Sequence, residues 1–199
     1  MNRICVFCGS SMGYQRIYRD AAADLGRLLA ESHISLVYGG AGVGLMKVLA
    51  DTVMQYGGEV VGIMPQHLVD KEVAHPGIHK LHVVDSMAER KSMMISLSNG
   101  FIALPGGFGT LDELSEVLTF NQLRLIDKPL GILNINKYFD SLLKFFDQGV
   151  SEGFVREEHR NSLIVSFEAR SLINKMNTWQ PVAMGKWIDD LKAESQSSR

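Results

Sequence analysis

The sequence predicts a doubly wound α/β fold: a mainly parallel sheet with helices on both faces, Rossmann-like, in one domain. Three observations carry this. Short apolar runs without polar alternation recur along the chain, as strands covered on both sides require. Stretches of helical periodicity separate them, and strand–helix–strand connections of that kind produce parallel neighbours. Small-residue loops rich in glycine follow three of the runs, at the strand ends where such sheets bind ligands.

Residues 4–7 form the first apolar run, followed by Cys8-Gly-Ser-Ser-Met-Gly13. A helix is predicted over 14–32, with Ala22, Leu25, Leu28 and Leu29 on one stripe. A strand at 35–38 runs into Gly39-Gly-Ala-Gly-Val-Gly44 and a helix to about 56. That loop misses the dinucleotide fingerprint G-x-G-x-x-G by one position and lacks the Gly-Lys-Ser/Thr of a P-loop. A small nucleotide is therefore the better-supported ligand, with Lys47 solvated on the helix. A third strand is predicted at 59–64. Residues 66–79 read as irregular or briefly helical, and their His67, His75 and His79 as solvated loop residues rather than metal ligands, because no i,i+4 pair lies on a clear helix and Pro76-Gly77 breaks the segment. A fourth strand at 81–84 leads to Ser86-Met-Ala-Glu89, a capping box that opens the next helix. Arg90 and Lys91 then lie in its first turns, against the helix dipole, so a nearby anion is expected to offset them. The nearby Met87, Met93 and Met94 are assigned to core or a subunit contact. Further strands are predicted at 129–133 and 163–165, with helices at 138–150 and 167–177.

Composition narrows the function. The 199 residues suit one domain over 1–180 with a C-terminal extension over 181–199, whose polar end is expected to be disordered from about 193. A net charge of −2 and the lack of any Lys/Arg run argue against a nucleic-acid partner. No stretch matches a membrane span, and Arg3 before a strand-like run does not match a signal peptide, so a cytoplasmic location is expected. Cys5 and Cys8 match C-x-x-C only formally. They lie in a buried strand with no second ligand pair and are assigned as structural thiols.

The most informative stretch is Leu104-Pro-Gly-Gly-Phe-Gly-Thr-Leu-Asp-Glu113. An apolar run meets a turn in which Gly106, Gly107 and Gly109 can adopt positive φ and expose bare backbone to a ligand, before a helix that starts near Thr110. Amides at a helix start suit a phosphate. Glu113, one turn further on, adds a carboxylate at the edge of this cradle. Thr110-x-x-Glu113 equally fits a capping box, and the local pattern leaves both roles open.

These residues resemble the LONELY GUY (LOG) family, once mislabelled as lysine decarboxylases. Pro105-Gly-Gly-Phe-Gly-Thr-Leu-Asp-Glu113 matches its PGGxGTxxE signature, and Glu89-Arg90-Lys91 stands at its E-R-K element. Val6-Phe-Cys-Gly-Ser-Ser11, Val37-Tyr-Gly-Gly40 with Gly44-Leu-Met46, and Leu81-His-Val-Val-Asp-Ser86 are similar as well. Ala88, Phe108 and Asp112 depart from the commoner His, Tyr and Glu, which bears on substrate preference more than on the reaction. The resemblance implies hydrolysis of the N-glycosidic bond of cytokinin riboside 5′-monophosphates, and of AMP, to free base and ribose 5-phosphate. It implies Arg90 and Glu113 as catalytic residues and substrate contacts at Glu72, Lys91, Gly107, Gly109, Thr110 and Thr119. Gly106 belongs to the same phosphate turn. No metal, pyridoxal phosphate or other cofactor is implied. A homodimer is, with each site completed by the neighbouring subunit. A non-catalytic carrier of nucleotides or of a molybdopterin-type cofactor is the alternative, distinguished by having no need of the Arg90–Glu113 pair.

Overall fold

A computed structural model of the chain describes residues 1–71 and 73–182. Seven strands form one parallel sheet in the order β4-β3-β2-β1-β5-β6-β7. They are β1 (Arg3–Phe7), β2 (Ser35–Tyr38), β3 (Val60–Pro65), β4 (Lys80–Val84), β5 (Gly100–Ala103), β6 (Leu130–Leu133) and β7 (Ile164–Ser166). The chain winds outward from β1 to β4, returns through one crossover to β5, and winds outward the other way. The switch point therefore lies between β1 and β5, which pair in register from Ile4 with Gly100 to Phe7 with Ala103.

Strand alternation sorts side chains between two cores. Ile4, Val6, Leu36, Ile102 and Leu133 pack with α1 (Arg16–Glu31), α2 (Gly44–Gln55) and α8 (Ala169–Asn177). Cys5, Phe7, Val37, Phe101 and Ile132 face the other way, onto α4 (Met87–Leu97), α5 (Phe108–Gln122) and α6 (Asp140–Ser151). Both faces of β1 and β5 are buried, which accounts for the unbroken apolar runs. Cys5 and Cys8 are free and buried, and burial raises both thiols well above their ordinary range, as inert packing residues require.

The predicted elements are present with boundaries shifted by a residue or two, and α6 follows a 3-10 turn at Ile135–Lys137. Residues 66–79 contain a single short helix, α3 (Gln66–Val69), while α7 (Glu157–Ser162) is an addition, too short to show a periodic signal. Glu72 and residues 183–199, including most of the expected extension and its polar tail, lie outside the described residues. No described helix is long and apolar enough to cross a membrane.

One glycine locks two of the ligand-edge loops together. Gly44 opens α2 with φ +58, and a Cβ there would lie 2.2 Å from the carbonyl carbon of Ser10. Left-handed backbone and a backbone neighbour both exclude a side chain. Gly44→Ala is expected to cost about 3 kcal/mol or more, combining strain with a clash that cannot relax by rotamer change. Urea unfolding checks this.

Candidate active site

The loops after β1, β2 and β5 meet at the switch point. The Gly9 amide donates to Pro105 O (3.1 Å), and the Leu45 amide donates to Gly9 O (3.1 Å). Between them lies a cavity of about 390 Å³, walled by Gly9 and Ser10, Gly39 and Ala41, Met46 and Met64, and the turn Gly107-Phe-Gly-Thr110. Arg90 and Glu113 reach into it.

Helix α5 begins at Phe108 with Gly107 as its N-cap, so it starts before the predicted Thr110. Thr110 is thus inside the first turn, buried, with its Oγ1 against Gly106, and Glu113 faces Arg90 instead of reaching back to cap the helix. None of Gly106, Gly107 and Gly109 has positive φ, contrary to the expectation for this turn. Their lack of a side chain serves space. A Cβ on Gly107 or Gly109 would meet nothing within 4 Å, since both stand in open space at the cavity wall, whereas one on Gly106 would strike Thr110 and the Gly9 amide.

The capping box at α4 forms, with Ser86 Oγ accepting from the Glu89 amide (3.1 Å). Glu89 Oε2 in turn accepts from the Asp85 amide (3.0 Å), one residue before the usual partner. The cations that follow it find their anions across the groove. Arg90 Nε donates to Ile63 O at the end of β3 (3.1 Å), and its guanidinium lies 3.7 Å from Glu113 Oε1. This is an ion pair too long for a direct hydrogen bond, so the two groups interact through charge alone. Lys91 pairs with Asp112 (3.0 Å) and Glu116 (3.4 Å). Desolvation works against its charge, but the bond to Asp112 and the Glu116 carboxylate outweigh it and raise the ammonium above its ordinary range.

Glu113 is the unusual group. Its side chain is 11% exposed, and burial pushes its carboxyl up to about 7, against the opposing pull of the Arg90 charge. A carboxyl poised near neutrality in a cleft, beside a fixed cation, is suited to accepting a proton or facing a developing positive charge.

Arg90 holds its position only because Gly39 is bare: a Cβ there would lie 2.0 Å from the guanidinium. The obstructing atom is the tip of a flexible side chain, so Gly39→Ala shifts Arg90 at little cost to folding. The variant is expected to melt near the wild type while lowering any catalysis that uses Arg90 by up to about 100-fold in kcat/KM, the cost of misplacing a functional group.

Not every expected residue lines this cavity. Thr119 lies further along α5, its Oγ1 donating to Ser115 O (2.8 Å), beside a separate cavity of about 200 Å³ that includes Arg124, Arg160 and Trp179. The cations there are already engaged, Arg124 with Asp127 and Arg160 with Asp147, and among the described residues no buried acid lines this cavity. Lys91 borders a narrow crevice behind Glu113. His75, expected to be solvated, is buried: its Nδ1 accepts from the Gly77 amide (3.1 Å), so Nε2 carries the proton donated to Asp51 Oδ1 (2.9 Å). With the His75 amide on Gly40 O, this pins residues 73–77 over the β2 loop. The partner is on α2, distant in sequence, so no local pattern announces it. Among the described residues no cluster of His, Cys, Asp or Glu is arranged to hold a metal.

Comparison with known proteins places the chain in a family. A family model described as "Possible lysine decarboxylase" matches residues 46–176. The chain is 43% identical over 197 residues to a cytokinin riboside 5′-monophosphate phosphoribohydrolase of Arabidopsis thaliana, covering 96% of this chain and 86% of that one. It is 44% identical over 179 residues to one of Oryza sativa subsp. japonica, covering 90% and 74%. Among solved structures, the molybdenum cofactor binding protein of Rippkaea orientalis superposes with a TM-score of 0.68 at 22% identity, over 88% of this chain and 95% of that one. The molybdenum cofactor carrier protein of Chlamydomonas reinhardtii gives 0.67 at 19%, over 89% and 96%. These two share the fold. The sequence matches go further: the chain belongs to the LONELY GUY family, whose relatives named above are phosphoribohydrolases.

Proposed function

We propose that this protein hydrolyses nucleoside 5′-monophosphates with an adenine-type base, cytokinin riboside 5′-monophosphates and AMP, to free base and ribose 5-phosphate. The observation that carries this is the buried Arg90–Glu113 pair at the edge of a glycine cradle. The amides opening α5 and the Thr110 hydroxyl hold the 5′-phosphate, where the helix dipole favours an anion. The ribose then lies over Glu113. As the C1′–N bond breaks, its electron pair leaves with the base, which takes up a proton, and the ribosyl ring acquires oxocarbenium character. The Glu113 carboxylate stabilises that charge and accepts the proton of the water whose oxygen bonds C1′. Arg90 keeps the carboxylate in register and contacts ribose or phosphate. The scheme needs neither metal nor pyridoxal phosphate.

The active unit is a homodimer with its sites at the subunit interface. Phe108 at the cavity wall is 92% exposed and Met87, beside Arg90, is 40% exposed, apolar surfaces suited to cover by a second copy. Thr119 and Lys91, which do not line their own chain's cavity, would face the neighbour's substrate, and Glu72 would contact substrate from residues 66–79. The test is base release from AMP and from isopentenyladenosine 5′-monophosphate, separated chromatographically, with Glu113→Gln as control. Release that the substitution removes supports the hydrolase and ranks its substrates. Tight nucleotide binding with no release would favour the carrier.

A further inference from the structure

The turn after β6 adopts a costly conformation for a reason that the hydrolase residues do not supply. Asn136 (φ 51) and Lys137 (φ 59) are consecutive non-glycine residues in the left-handed region, a conformation that persists only where the surroundings enforce it. They do so here. Buried Asn134 accepts from the Phe139 amide (2.8 Å) and donates to Asp140 (2.8 Å), while Asn136 donates to Gln15 (2.9 Å). The product of this arrangement is the placement of Tyr138. Its ring packs edge-on against Tyr18 and Phe139, and its hydroxyl donates to Gly106 O at 2.6 Å.

That carbonyl belongs to the peptide whose other half is the Gly107 amide, the N-cap of α5. The chain has no cis peptide among its described residues, so the Gly106 carbonyl and the Gly107 N–H point in opposite directions. Anchoring the oxygen on the Tyr138 side turns the N–H away from Tyr138. Gly107 borders the Arg90–Glu113 cavity, to which Tyr138 contributes nothing. Tyr138 instead lines an adjoining cavity of about 290 Å³, which shares Gly9, Ser10 and Gly107 with the first.

We infer that Tyr138 is a positioning residue for the 5′-phosphate: through Gly106 it fixes the peptide plane that presents the Gly107 amide to the ligand. The inference rests on the phosphate cradle proposed above but not on the hydrolytic step. A turn of two glycines has little intrinsic preference for one peptide orientation, and a flipped plane would present a carbonyl oxygen to an anion. The hydroxyl removes that alternative from outside the cavity, without touching the ligand.

Tyr138→Phe keeps the ring packing and removes only the hydroxyl. Calorimetric titration with ribose 5-phosphate and with adenosine, which lacks the phosphate, reads the effect. The expected result is a Kd for ribose 5-phosphate raised about 3- to 10-fold, the worth of one hydrogen bond, with adenosine binding unchanged and the melting temperature lowered by no more than about 4 °C. In the base-release assay KM rises by the same factor while kcat holds. Unchanged ribose 5-phosphate binding, or equal weakening of both ligands, would overturn the assignment. A wild type that binds ribose 5-phosphate through Tyr138 yet releases no base would sink the hydrolase and leave the positioning role supported. A wild type with no affinity for ribose 5-phosphate would overturn the role together with the cradle.

Discussion

Glu113→Gln is expected to lower base release by about 100- to 10,000-fold while leaving the fold at least as stable as the wild type near neutral pH. The amide keeps size and hydrogen-bonding capacity but cannot take a proton or carry the charge that faces the ribosyl cation. The stability half follows from linkage. Burial raises the Glu113 carboxyl from 4.5 to about 7, so the folded protein holds a proton there that the unfolded chain releases. The stability this contributes is fully present below about pH 4.5 and is lost as pH rises through about 7, a difference on the order of 3 kcal/mol. Gln at this position mimics the protonated form at every pH. The melting-temperature difference between variant and wild type should therefore widen in the variant's favour from pH 5 to pH 8. A constant difference would show that Glu113 titrates normally. The same titration shapes the rate: because the proposed scheme uses the carboxylate, wild-type kcat/KM should rise through about pH 7 to a plateau. A fall across that range would instead make Glu113 a general acid.

Arg90→Ala is expected to cost about 100- to 1,000-fold in kcat/KM, the usual penalty for removing one preorganised charge partner, and to move the pH dependence of what remains. The Arg90 charge is the main influence holding Glu113 below the value that burial alone would set. Without it the carboxyl rises further, so the residual activity of Arg90→Ala should reach half its plateau at a more alkaline pH than the wild type. Folding should suffer less than the removal of one partner from a fixed buried ion pair implies, because the orphaned carboxyl can protonate near neutrality. Arg90→Lys restores the charge but not the Nε–H that binds Ile63 O, so it should recover the pH profile better than the rate. A steady-state pH series on the three proteins decides this.

Much of the candidate site was legible because its parts are local. The turn from Pro105 to Thr110 and the Glu89-Arg90-Lys91 element are each contiguous. The mismatch of Arg90 and Lys91 with the dipole of their own helix pointed to anions, which are Glu113, Asp112 and Glu116. Other features depended on residues far apart in sequence. Nothing local relates Gly39 to Arg90, Asp51 to His75, or Tyr138 to Gly106, since each pair meets only when separate strand ends converge. The same limit explains why the sequence placed the helix start near Thr110 and left its role open: the N-cap, Gly107, is chosen by how β5 delivers the turn onto the β1 loop.

The sequence by itself determined the succession of strands and helices, because burial on two faces and on one stripe leave different periodicities. It also determined which loops carry glycine, and hence which edge of the sheet carries the candidate site. Only the tertiary structure decided that Glu113 is the perturbed acid while its neighbours Asp112 and Glu116 serve Lys91. Three carboxylates on one helix turn carry the same intrinsic chemistry. Desolvation, which separates them, is a property of what the rest of the chain packs around each one.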